Sequence, residues 1–111
     1  MPNMQGLTRL TFLVALVLFG GAPARAEDYV LTVRDHQFMP PVLTIPANQK
    51  VKITVKNASP ATVEFESSDL NREKIVPAGT EITIFVGPLG AGQYSYFDDF
   101  NRQTSGAIAV K

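Results

Sequence analysis

The sequence predicts an all-β protein, a sandwich or small barrel of seven to eight short strands. Three observations carry that expectation. Apolar and polar residues alternate with a period of two through most of the chain, and a helical period is hard to find. Clusters of Gly, Pro and Asn punctuate the alternating runs at short intervals. The 111 residues include no cysteine, so in an exported chain a closed β-architecture must hold without disulfides.

Residues 1–26 read as a separate unit. Arg9 supplies a positive charge, residues 10–19 an apolar run, and Ala24, Arg25 and Ala26 a small-residue cleavage site. This is the pattern of a secretory signal. The apolar run is well short of the roughly twenty residues that cross a bilayer, so no membrane insertion is expected after cleavage. Residues 27–111 then make one domain with one core.

Within that domain, Tyr29, Leu31 and Val33 share one face of a first strand. Val42, Leu43 and Ile45 precede a turn signal, PANQ, at 46–49. KVKITVK at 50–56 alternates cleanly, with Val51, Ile53 and Val55 inward and the lysines toward water. TVEFE at 62–66 places Val63 and Phe65 opposite Glu64 and Glu66. SSDLNREK at 67–74 reads as an irregular polar excursion. A turn at 77–79 leads into TEITIFV at 80–86, GPLGAG at 87–92 reads as a hairpin turn into QYSYF at 93–97, and GAIAV at 106–110 closes the domain.

Charge narrows the partners. All ten acidic residues follow position 26 but Arg9 and Arg25 do not, leaving eight basic side chains and a net charge of −2. A mildly acidic domain with no basic stripe argues against nucleic acid or anionic lipid as a partner. One histidine and no cysteine give no nucleophile–base pair for a hydrolase, and Gly87, Gly90 and Gly92 do not open a helix as a dinucleotide loop would.

FMPPVLTIPANQKVKITVKN at 38–57 resembles the opening strands of cupredoxins, and GPLGAGQYSYF at 87–97 resembles their penultimate strand. DHQFMP at 35–40, EFESSDLNREKIV at 64–76 and FDDFN at 97–101 are more specifically similar to cupredoxin-like periplasmic components of bacterial ferrous-iron uptake systems, the EfeO-type cupredoxin domains. The resemblance implies a Greek-key sandwich in the periplasm. Iron is its expected metal, with copper as the second choice. Its partners would be an iron permease and a periplasmic iron-binding protein, with room for a homodimer. The departures are equally specific. Against blue-copper chains, Ala61 stands in the slot of the first histidine ligand, Asp98 in the cysteine slot and Asn101 in the second histidine slot. No methionine near Gly106 supplies an axial ligand, and with no cysteine in the chain blue-copper electron transfer is excluded.

The metal-ligand candidates that remain are His36, Met39, Glu64, Glu66, Asp98 and Asp99. Glu64 and Glu66 lie two apart on a strand and project from one face, where their mutual repulsion invites a cation; the alternative is a solvated outer face. Asp35 could orient the ring of His36, or the histidine could be an inert surface residue. Met39 suits copper as a ligand and otherwise fills a core or rim position. Asp98 and Asp99 are either ligands or the residues that cap a turn. The expected function is capture of iron, and assistance with Fe(II) oxidation or delivery, for a high-affinity permease. A ferroxidase would further need an electron acceptor. The alternative is a metal-free interaction module in the same uptake complex, docking through the 66–74 excursion.

Overall fold

The computed structural model describes residues 28–111, and the expected signal segment at 1–26 lies outside them. Nine strands and no helix make up the secondary structure of these residues. One sheet has four strands: β1 (Asp28–Arg34), β2 (Gln37–Met39), β4 (Val51–Asn57) and β7 (Glu81–Val86), in the order β2-β1-β4-β7. The other has five: β3 (Val42–Ile45), β5 (Val63–Ser67), β6 (Arg72–Val76), β8 (Gly92–Asp98) and β9 (Asn101–Val110), in the order β3-β9-β8-β5-β6. The pairs β1–β4 and β3–β9 are parallel, and the remaining ladders are antiparallel. The all-β sandwich expected from the alternation is the observed architecture.

The chain changes sheet five times, at β2–β3, β3–β4, β4–β5, β6–β7 and β7–β8. Pro40 and Pro41 mark the first crossing, because a residue without an N–H cannot continue a ladder. Gly87–Gly92 marks the last. The expected hairpin turn there is corrected: β7 and β8 belong to different sheets, so the segment is a crossover. Gly87 sits at φ +94°, and a Cβ on it would lie 2.2 Å from the carbonyl oxygen of Gln49, so only glycine lets the two segments pass.

Two other expectations need correction. The 67–74 excursion is a tight hairpin leading into β6, which accounts for part of the rise from seven or eight strands to nine. Its polarity reflects an exposed outer strand, yet the turn is well anchored. Ser67 Oγ accepts from the Leu70 N–H at 3.0 Å and donates to the Ser95 carbonyl at 2.7 Å, while Leu70 is buried. Asp69 Oδ2 also accepts from the backbone and hydroxyl of Ser95 at 2.9 and 3.1 Å. The last strand likewise begins at Asn101, five residues before the expected Gly106, because the polar run at 101–105 alternates too weakly to be read as a strand.

The core lies between the sheets and follows the alternation: Leu31, Val33, Ile53, Val55, Phe65 and Ile108 are among its members. Phe38, Phe65 and Tyr96 form its aromatic centre, with ring centroids 4.9 to 6.2 Å apart. Tyr96 is paired across the ladder with Gly106, and a Cβ on that glycine would lie 2.7 to 2.9 Å from the tyrosine ring and hydroxyl. No helix among the described residues is long and apolar enough to cross a membrane.

Candidate metal centre

The six candidate ligands do not converge on one point. Among the described residues, Glu64, Glu66 and Asp99 form a group whose ligand oxygens all lie within 4.8 Å of one another. His36 and Asp98 line a separate cavity between the ends of the sheets, and Met39 is not among the residues that line it. Met39 is half-exposed on the edge strand β2, which rules out a core position and leaves the rim.

The carboxylate group is built by strand parity. Val63, Phe65 and Ser67 point inward on β5, which turns Glu64 and Glu66 to the outer face of the five-stranded sheet. Glu73 on β6 stands directly opposite Glu66. The chain brings Asp99 alongside through its N–H, which donates to the Glu64 carbonyl at 2.9 Å. A hydrogen bond shared with Glu73 favours the protonated form of Glu64 and raises its pKa, reinforced by desolvation and by repulsion from Glu73, Asp99 and Glu66. For Glu66 desolvation is the leading cause of the upward shift, followed by Glu73 and Asp99, and Arg102 opposes it. Arg102 supplies the nearby positive charge, ion-paired to Asp99 at 2.7 Å and lying over the Phe97 ring at 5.2 Å. Glu66 Oε1 is buried with no hydrogen-bond partner.

The cavity is of about 440 Å³ and opens at the end of the sandwich. Asp35 and His36, at φ 52° and 61°, form the two-residue turn between β1 and β2. That turn holds the imidazole over the β8–β9 hairpin, where Asn101 Nδ2 lies 2.8 Å from His36 Nδ1. The ring is therefore oriented by Asn101, the residue whose role the sequence left open, and not by Asp35. With the amide donating, Nδ1 accepts and Nε2 carries the proton. Asp98 is 5% exposed, and its Oδ1 accepts from the N–H groups of Glu64 and Phe100, both at 3.0 Å. The second of these bonds is an Asx-turn, so Asp98 does cap the hairpin bend. Opposite, Asn57 Nδ2 donates to the carbonyls of Ala61 and Val76 at 2.7 and 2.9 Å, fixing the loop that carries Ala61 into the cavity wall.

Sequence reasoning missed Thr104. It lines the same cavity, is 2% exposed, and its Oγ1 has no hydrogen-bond partner. No local signal pointed to it: Asn101 and Thr104 lie three apart on β9, against the alternation of a strand, and only the irregular β8–β9 bend brings both to the cavity.

The cupredoxin-like domain model matches residues 9–110. This chain belongs to the cupredoxin-like domain family. It is 36% identical over 110 residues to an uncharacterised protein of Rickettsia prowazekii, covering 94% of this chain and 88% of that one. Among solved structures it resembles the metal-binding domain of the Cu(I)-exporting P-type ATPase of Streptococcus pneumoniae, solved with Cu(I), at TM-score 0.69 and 14% identity, over 76% of this chain and 84% of that one. Amicyanin from Paracoccus versutus aligns at TM-score 0.61 and 18% identity, over 81% and 85% of the two chains. A purple cupredoxin from Nitrosopumilus maritimus aligns at 0.57 and 18%, over 75% and 99%. These structural likenesses establish the fold.

The end cavity of this cupredoxin-like domain does not fit a copper–thiolate centre. The chain has no cysteine, Ala61 offers no donor, and Asn101 faces the His36 ring with its amide nitrogen. Asp98 Oδ1 is already engaged by two backbone donors. The Thr104 hydroxyl and the Asp35 and Asp98 carboxylates are hard donors, poorly matched to Cu(I), which leaves His36 as the one imidazole in the lining.

Proposed function

We propose that this protein is an exported cupredoxin-like metal-binding protein that captures iron on the outer face of its five-stranded sheet. In this reading a periplasmic iron-binding protein and a high-affinity permease are its partners. The observation that carries it is the convergence of Glu64, Glu66 and Asp99 oxygens within 4.8 Å, with Glu73 beside them. Carboxylate oxygens suit Fe(III) better than Fe(II), and each tenfold preference lowers the potential of the bound couple by about 59 mV. Captured Fe(II) would then lose one electron more readily, becoming Fe(III), with the electron passing to oxygen, bound copper or a partner protein. Arg102 is the group an arriving cation would displace from Asp99, because both seek the same charge.

Calorimetric titration of the purified protein with Fe(II) under anaerobic conditions, Fe(III) citrate and Cu(II) tests this reading. Glu64→Gln and Glu66→Gln should each weaken iron binding by about tenfold or more. Failure of all three ions to bind, or unchanged affinity in the double variant, overturns it. A second reading, the metal-free interaction module, is favoured by the exposed edge strand β6, where Ile75 is half-exposed beside Glu73 and Lys74. It gains if Glu64→Ala with Glu66→Ala leaves cellular iron uptake intact.

A further inference from the structure

The end cavity does not fit a copper–thiolate centre, yet it has the geometry of a binding pocket. We propose that it is a recognition pocket for an organic monocation, a guanidinium or alkylammonium head on a short apolar stem. Its floor holds a 5%-exposed carboxylate, Asp98, and a 2%-exposed hydroxyl, Thr104, whose oxygen has no partner. A buried hydroxyl without a hydrogen bond is costly, and a ligand N–H supplies what it lacks. No lysine or arginine lines the cavity, and Asp35 adds a second negative charge to its wall. Val33, Pro60, Val63 and Phe100 supply the apolar surface for a stem. Phe100 is 60% exposed, leaving its ring available to a cationic head or to a presenting chain.

A metal ion is the poorer match. It would need several converging ligands, yet the three-carboxylate group among the described residues lies elsewhere and includes neither Asp98 nor His36. An organic cation needs only one carboxylate, one acceptor hydroxyl and an apolar wall, and residues of all three kinds line the cavity. The inference does not rest on iron capture, because the two sets of residues do not overlap.

Amide NMR titration of the full protein tests it, using n-propylguanidinium and n-butylammonium chloride as probes with n-propylurea and 1-butanol as neutral controls. Saturable shifts are expected at Asp98, Asn101 and Thr104 for the cations alone, with dissociation constants on the order of 1–10 mM for such small ligands. Asp98→Asn should weaken cation binding about tenfold or more, while its side-chain oxygen can still accept from Glu64 and Phe100. Thr104→Val, of nearly the same shape, should weaken it about fivefold. A capped tripeptide with a central arginine separates the two sources of such a head. If a protein side chain is the natural ligand, the peptide binds more tightly and Phe100→Ala weakens it selectively; if a free metabolite is, Phe100→Ala affects peptide and free cation equally. Equal binding of the neutral controls, absence of saturation, or Fe(II) or Cu(II) shifting these same residues at micromolar concentration would overturn the proposal.

Discussion

Gly106 and Tyr96 show how one residue's size determines another's place. The ring lies where a Cβ on Gly106 would come within 2.9 Å of it, and the tyrosine hydroxyl is buried with no partner. Gly106→Ala should therefore destabilise the protein by about 1–3 kcal/mol, the usual effect of overpacking. Tyr96→Phe should do the reverse, adding about 1 kcal/mol, because it removes an unsatisfied polar group and keeps the ring. Chemical denaturation of both variants decides the matter, and a loss of stability in Tyr96→Phe would mean that the hydroxyl has a partner after all. Burial also raises the tyrosine pKa, so the folded state resists phenolate formation. Stability from this group is intact below about pH 10, where an unfolded tyrosine ionises, and is lost as pH climbs beyond it. Tyr96→Phe should flatten that alkaline limb.

Among the elements, the loop between β4 and β5 depends on one side chain. Asn57 is 2% exposed, donates to two carbonyls, and accepts at Oδ1 from the N–H and hydroxyl of Ser59 at 3.0 and 2.6 Å. Asn57→Ala strands those buried groups and should reduce stability by about 2–4 kcal/mol, seen as a lower denaturation midpoint at unchanged slope. The long alternating strands were legible in the sequence because each buries one face: Val51, Ile53 and Val55 on β4 and Val63 and Phe65 on β5 lie inside as expected. β2 is only three residues long, and β6 keeps a single buried residue, Val76, so neither shows a readable period. The acidic group was legible to the same degree. Parity paired Glu64 with Glu66, whereas the arrival of Asp99 depends on a hairpin bend that no local pattern encodes. The role of Asn101 stayed open and Thr104 escaped notice because their places exist only where the bend meets the β1–β2 turn.

For the whole molecule, the clustered carboxylates make acid a stabiliser. Glu64 and Glu66 hold protons more tightly folded than unfolded, so their contribution is fully present below the ordinary carboxylate range and is lost as pH rises through their raised values. A bound cation reverses the dependence, since it favours the ionised forms. Melting curves with and without Fe(II) should therefore differ most near neutral pH and converge on acidification. Glu73→Gln should raise the melting temperature of the metal-free protein at pH 7 by a small margin that disappears in acid. A gap of constant size across that range would show that these groups do not govern it. Asp98 and Asp99 serve opposite sides of the same sheet from consecutive positions, one engaged by the Glu64 N–H and the other donating to the Glu64 carbonyl. A single residue inserted before them would move both out of place, setting the first aspartate where the second now stands and the second where Phe100 stands. The two faces thus share one genetic hinge: an insertion at this one point would disturb the outer carboxylates and the inner cavity together.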